Sequence, residues 1–541
     1  MMAAAAARTL PGLLCRRAAQ EAAAPAFRQK RRGVWRSRDW AAVLGDVRAL
    51  AADLAAHGFA AGDRLLLVGE ASVEWLIAEL AAQWLGGASV TPYPDAPAAE
   101  LAEAIAQAPA RFVAVDDAAL AQAVGAVGGA DPVWRVLLRP AGGDGSLPAA
   151  LARGAAGSGV AAPACHPATI ATIAFTPGAG GCSRAVPLSH GELIDKAAVL
   201  ADALGIGEAG LHSFCQVPPA HIAARVLGPG IHLLHGGVLF FAERIDTVGV
   251  DLAEAQPRMV AALPWQWHSL HRGIAERLAA GSALAGRLFA RRLAGRRDAA
   301  SELLVARPLR RHLGLSRTRL AVVHGGDLAP ATERFLAALR LGPVVGYGLT
   351  QTAGWSLLRR GGGWAALPGT TAHVSPQGEL LLDTDGRRLA TGDAATPGAA
   401  PPGPAGPQPA ADDDPAAVAL ARRLTDSPFI GRAVVTRRGV AVIEVDAGAV
   451  GAWARRHGHA YTTYHSLVTL AAVEALIGAE VARIAAAPAG VAVSRCRILP
   501  APLTRAGWML TATGSLRRPA LERLIADLPQ REPESDHALS G

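Results

Sequence analysis

From Asp63 onward, short apolar runs rich in Val and Leu alternate with longer stretches of helical periodicity. The pattern predicts a strand at 65–68, a helix at 73–85, a strand at 88–91, a helix at 97–108 and a strand at 111–115. The alternation returns at 169–175 (strand), 189–204 (helix) and 320–323 (strand). Strands separated by helices of this length predict a parallel sheet with crossover helices, an α/β protein.

The pattern breaks at AATPGAAPPGPAGPQPAADDDP, residues 394–415, with seven prolines in 22 residues. Proline at that density favours an extended linker and excludes a helix or a central strand. Beyond it, an apolar run at 440–443 and a helical pattern at 473–484 predict a small α+β domain. The expected organisation is a large N-terminal α/β domain (1–393), a linker (394–415), a C-terminal domain (416–528) and a polar tail (529–541).

At 541 residues, 51% apolar and 18% charged, the chain is too long for one core and too apolar for disorder. The net charge of +8 is almost all arginine, since Lys30 and Lys196 are the only lysines. No basic run alternates with aromatics, so nucleic acid is not an expected partner. The arginine clusters 291–297 and 307–311 read as solvated helix faces, with coenzyme A phosphates or peripheral contact with an anionic membrane left open. Five scattered cysteines with no CxxC pair predict neither a disulfide framework nor a zinc site. The opening MMAAAAARTLPGLLCRR lacks the form of a secretory leader, and the most apolar stretch, 226–242, is interrupted by Gly, Pro and His. A cytoplasmic protein without a transmembrane segment is expected.

Candidate chemistry begins at TIATIAFTPGAGGCSRAVPLSHGELI, residues 169–194. A strand runs into a turn with Gly178, Gly180 and Gly181, then Arg184, then a helix whose Ser189 and Glu192 have capping-box spacing. Such a loop suits phosphate: glycines let backbone N–H groups approach oxygens, and the cation offsets their charge. Ser189, His190 and Asp195 share one helix without a nucleophile elbow, so they read as a cap and surface residues rather than a hydrolase triad. Cys182 lies in the same loop as a candidate reactive thiol.

Residues 175–190, FTPGAGGCSRAVPLSH, resemble the phosphate loop of the adenylate-forming superfamily, Tyr-Thr-Ser-Gly-Thr-Thr-Gly-x-Pro-Lys-Gly followed by Leu-(Thr/Ser)-His. Further matches follow in the family's order: QVPPAHIAAR (216–225), HGGDLAP (324–330), YGLTQTAG (347–354), LPGTTAHVSPQGELLL (367–382), TGD (391–393) and LTATGSLRR (510–518). The resemblance runs from about Thr9 to Leu528 and is nearest to long-chain fatty acyl-CoA synthetases. It implies a large adenylate-forming domain of layered sheets and helices with a small α+β lid. It also implies a two-step reaction, in which a fatty acid or other carboxylate reacts with Mg²⁺-ATP to give an acyl-adenylate and coenzyme A then displaces AMP. Thr176, Gly178, Gly180, Gly181 and Arg184 would cradle the β/γ-phosphates. Gly325, Gly326, Tyr347 and Gly348 would form the adenine side, Thr350 would meet the α-phosphate and Asp393 the ribose. His221 and Trp265 would border the acyl group, and Gln351 takes the place of the Mg²⁺-ligating glutamate.

Four departures from the family pattern fall at chemically costly places. Arg184 replaces the loop lysine, and Pro177, Ala179 and Gly180 replace hydroxyl residues. Gln351 is neutral where a hard cation favours charge. The Pro-rich stretch stands where the family's Gly-Arg-x-(Lys/Asp) hinge belongs. Ser515 occupies the position of the adenylation lysine, and no lysine follows Lys196; Arg517 or Arg518 would be the substitute cation. Loss of one such donor costs about 10²–10³ in rate. The expected function is a long-chain fatty acid–CoA ligase of weakened activity. The alternative is a pseudoenzyme that binds nucleotide or acyl ligand in a regulatory or scaffold role.

Overall fold

The computed structural model describes residues 8–503 except 129–131, 140–142, 158, 164, 177–182, 208–210, 216, 245, 385, 397, 399–400, 408–414, 426, 437–438 and 487–491. Each N-terminal element expected from the pattern forms within a residue or two of its expected ends. Strands Arg64–Val68, Ala88–Thr91, Phe112–Val115, Trp134–Leu137 and Ile170–Phe175 make a parallel sheet, closed at one edge by the antiparallel Ala185–Ser189. A second sheet of nine strands has a parallel centre that includes Leu211–Cys215, Met259–Ala262, Leu320–His324 and Pro343–Tyr347. Helix Val73–Trp84 is buried on nearly every side and is largely apolar all round, whereas His190–Leu204 buries one stripe and exposes Glu192, Asp195 and Asp202.

The His190–Leu204 helix starts as its sequence requires. The Ser189 side chain accepts from the Glu192 N–H, the Glu192 carboxylate accepts from the Ser189 N–H, and Gly205 ends the helix in the left-handed conformation. His190 is buried and its Nδ1 accepts from the Leu10 N–H, while Asp195 pairs with Arg8. They hold the N-terminal helix Leu10–Glu21 and form no triad.

The Pro-rich stretch is only partly a connector. Pro404–Pro407 pairs with the end of strand Arg387–Ala395 as the outer strand of a four-stranded antiparallel sheet. An edge position tolerates proline because its missing N–H lies on the unpaired side. A Cβ at Gly403 would fall 1.9 Å from the Trp364 ring, so glycine lets this strand lie against the larger domain. Among the described residues beyond it, strands Ile430–Val435, Val440–Val445 and Arg495–Ile498 pack with helices, including Ala471–Ala485, around a separate core. Arg272 on helix Pro264–Ala280 pairs with Asp446 at 2.5 Å, joining this α+β unit to the first domain.

One arginine departs from its expected solvated face. Arg292 is 2% exposed, donates to the Ala338 carbonyl and Ser301 Oγ, and pairs with Glu302. Cys15, Cys165 and Cys496 are free, and burial pushes each thiol up, Cys496 to about 12, so none is an activated nucleophile.

The two large sheets are tied by a buried polar cluster. Arg225 donates to Glu79 Oε1 at 2.8 Å, Thr172 Oγ1 at 2.6 Å and Thr91 Oγ1 at 3.1 Å, while Ser89 donates to the same carboxylate oxygen at 2.8 Å. Arg225 and Glu79 are each about 95% buried. Removing one partner strands the other charge in the core. Arg225→Met is therefore expected to lose about 3–5 kcal/mol of stability, and Glu79→Leu with Arg225→Met to recover most of it. Urea denaturation of the wild type and both variants measures the difference.

Candidate active site

Each candidate segment follows the carboxyl end of a parallel strand, where α/β sheets leave a crevice for ligands. Ile170–Phe175 leads to Thr176 and the glycine loop, Leu211–Cys215 to His221, Leu320–His324 to Gly325, and Pro343–Tyr347 to Gly348.

The loop is clamped at its base. The Thr176 N–H donates to the Arg184 carbonyl at 3.0 Å, the Arg184 N–H to Thr176 Oγ1 at 2.9 Å, and Ser183 Oγ to the Thr176 carbonyl at 2.7 Å. Gln107 spans the exit, donating to the Ser183 carbonyl at 2.7 Å and accepting from the Ala185 N–H at 2.9 Å. The Arg184 side chain is exposed, and its guanidinium has no partner among the described residues. Gly178, Gly180, Gly181 and Cys182 lie outside the described residues, as do Ser515, Arg517 and Arg518.

The turn Thr350–Thr352 packs against strand Ala185–Ser189, bringing Thr350 and Gln351 to the loop's exit. Close packing sets this turn. A Cβ on Gly348 would lie 2.5 Å from Gly354 backbone atoms, and one on Gly354 would lie 2.6 Å from the Ala223 Cβ. His324 is buried and its Nε2 donates to the Gly354 carbonyl, which ties the Gly325 turn to the Thr350 turn. Gly325 has φ +84°, a conformation that favours glycine, and Gly326 packs on Pro264.

Tyr347 donates its hydroxyl to Asp393 Oδ2. Burial and the Asp393 carboxylate push the phenol's pKa up, so it remains a donor at any ordinary pH. The Asp393 turn is held in place because Thr391 Oγ1 donates to the Leu380 carbonyl and accepts from the Asp393 N–H.

His221 precedes the short helix Ile222–Arg225. Its ring lies edge-on to His324 with centroids 5.1 Å apart, and Nδ1 of each ring is buried without a partner. Burial, with neighbouring positive charge for His221, lowers the two pKa values to about 3 and about 4, so both imidazoles are neutral. Trp265 stands apart from this group: it is 40% exposed, and Trp267 takes the core position on the same helix. Among the described residues no three His, Cys, Asp or Glu side chains gather as a metal site. Gln351 contributes one neutral oxygen to a task that carboxylates share with substrate phosphates, so the described residues do not form a chain-held Mg²⁺ site.

Residues 14–398 match the model of the AMP-binding enzyme family. The chain belongs to that family. A long-chain-fatty-acid–CoA ligase of Mycobacterium tuberculosis is 26% identical over 387 residues, covering 65% of this AMP-binding family member and 63% of the relative. A long-chain-fatty-acid–CoA ligase of Drosophila melanogaster is 26% identical over 211 residues, covering 34% of this chain and 30% of the relative. The chain thus spans less than two thirds of the length of these curated relatives. Among solved structures, the A domain of a carboxylic acid reductase from Segniliparus rugosus, in complex with AMP and a co-purified carboxylic acid, superposes with TM-score 0.74 at 18% identity. That match covers 96% of this chain and 94% of the other. A benzoate CoA ligase from Burkholderia xenovorans LB400 gives TM-score 0.68 at 18% identity, over 95% and 99%. These likenesses show an adenylate-forming fold. Among the described residues of this family member, no helix is long and apolar enough to cross a membrane.

The sequence pattern missed Trp355, which is wholly buried and donates its indole N–H to the Ala223 carbonyl at 3.1 Å. Its signal was Gly346, where a Cβ would lie 2.1 Å from the Trp355 ring. Arg225 lay within a recognised motif, but nothing in the sequence named Glu79 as its partner.

His190, His221, His232 and His324 are all held neutral by burial, with pKa values of about 4, 3, 4 and 4. The unfolded chain takes up these protons near pH 6.5, so stability falls as pH drops from about 6.5 toward 4. At pH 5 each imidazole is expected to cost about 2 kcal/mol. Urea midpoints measured from pH 7.5 to 5 should fall steeply below pH 6.5, whereas a flat profile would refute the neutral, buried state.

Proposed function

We propose that the chain activates a carboxylic acid by adenylation. The carboxylate attacks the α-phosphate of Mg-ATP, pyrophosphate leaves, and the thiol of coenzyme A then displaces AMP to give the thioester. The observation that carries this reading is the convergence of two parts: the Tyr347–Asp393 pair, and the clamp between Thr176 and Ser183–Arg184, whose following strand Ala185–Ser189 packs on the Thr350 turn. Membership of the AMP-binding family supports it. The names of the relatives support a fatty acid as the acid, and a cytoplasmic location accords with that role.

In this reading the loop that closes on Thr176 and Arg184 receives the β/γ-phosphates, with the exposed guanidinium of Arg184 as its cation. Asp393 accepts from the ribose hydroxyls, Tyr347 flanks adenine beside Gly325, Gly326 and Gly348, and Thr350 meets the α-phosphate. Any Mg²⁺ would be held by the nucleotide's phosphates, and Gln351 would offer it only a neutral amide oxygen. Neutral His221 lines the acyl side. Trp265 is given no substrate role because it stands at the surface, outside the cavity bounded by Ala223, His324 and Trp355.

A second reading is favoured by a specific feature: no lysine follows Lys196, and Ser515 and Gln351 stand where the family has its charged adenylation groups. It is a nucleotide- or acyl-binding pseudoenzyme with a regulatory or scaffold role. Acid-dependent ATP–pyrophosphate exchange separates the two. Exchange in the wild type, accelerated about 10²–10³-fold by Ser515→Lys, is expected of a weakened ligase. Exchange in neither protein would reject adenylation.

A further inference from the structure

We infer that the acid activated here is short-chained and that Trp355 sets the limit; this rests on the adenylation reading. Between the His221 helix and the Gly325 turn, four small side chains, Ala223, Ala224, Ala261 and Ala262, line one cavity. Trp355 and His324 close it, leaving a cavity of about 10 Å³, barely room for one water.

The plug is fixed in place. The Trp355 indole N–H is committed to the Ala223 carbonyl, and its ring lies 4.6 Å from the His324 ring. On its other side the ring sits where any Cβ on Gly346 would be, 2.1 Å from that position. Swinging it aside would break the hydrogen bond and open a void in the core. His324 adds a polar wall, since its buried Nδ1 has no hydrogen-bond partner and is a poor neighbour for methylenes. The opposite face of the helix is also closely packed. The cavity there is about 20 Å³ and is bounded by the Arg225–Glu79 ion pair. The relatives named for long-chain acids leave the length of this chain's acid to its own residues.

The test is calorimetric binding of acyl sulfamoyl adenosines, mimics of the acyl-adenylate, with acetyl, butyryl, octanoyl, dodecanoyl and palmitoyl chains. AMP serves as the reference. The wild type is expected to bind the acetyl compound about tenfold or more tighter than the dodecanoyl and palmitoyl ones. Trp355→Ala should shift the preference to longer chains, and Trp355→Phe, which keeps an aromatic filling, should shift it less in the same direction. AMP binding with long chains preferred by the wild type, or an unchanged ranking in both variants, overturns the inference and leaves adenylation standing. Binding of neither AMP nor any mimic overturns both.

Discussion

The guanidinium of Arg225, buried against Glu79, is the constraint on which the rest of the site depends. It joins a helix at one sheet to Thr172 on the strand that feeds the phosphate-type loop, and to Thr91 on the neighbouring strand. Both charges are out of water, so the pair is tolerable only while the close contacts of the guanidinium to Glu79, Thr172 and Thr91 are kept, and that requirement fixes the helix in one register. His221 and Ala223 are positioned on the same short helix. Ala223 then receives the Trp355 indole and meets Gly354, so the Thr350 turn inherits its place from the ion pair.

From that registration the binding crevice follows by backbone contact more than by side-chain reach. Gly346, Gly348 and Gly354 allow backbone and ring to approach where a methyl group would collide. His324 bonds across to Gly354, and Tyr347 to Asp393, so the turns after two adjacent strands and a third from another sheet form one surface. The chemistry that surface supports is lopsided. In the proposed reading the groups that hold the nucleotide are kept, while neutral Gln351 and Ser515 stand where the resemblance puts the family's charged adenylation groups. The Arg272–Asp446 pair, half-buried where helix Pro264–Ala280 meets helix Ala447–Arg456, helps hold the C-terminal unit to the larger domain.

Much of the fold was legible because it rests on periodicity and local chemistry. The Ser189–Glu192 cap, the strand at 170–175 and the parallel order of the first sheet follow from residues close in sequence. Motif order gave the family, whereas the hydrogen bond between Tyr347 and Asp393, 46 positions apart, was not read from the sequence. What was hidden depends on distant partners. Arg292 reads as surface until Glu302 and the Ala338 carbonyl fold around it. The edge strand at Pro404–Pro407 depends on a partner strand that proline content alone does not reveal. Trp265 and Trp267 are two residues apart on one helix and are separated only by which side faces the core.

The central claim is that these turns form one working nucleotide site whose ribose contact is Asp393. Titration calorimetry of AMP against the wild type and Asp393→Ala tests it most directly. The account predicts saturable binding by the wild type and a loss of about tenfold to a hundredfold in the variant, the worth of a hydrogen bond to a charged group. Equal affinity in the two proteins, or no binding by the wild type, would contradict it.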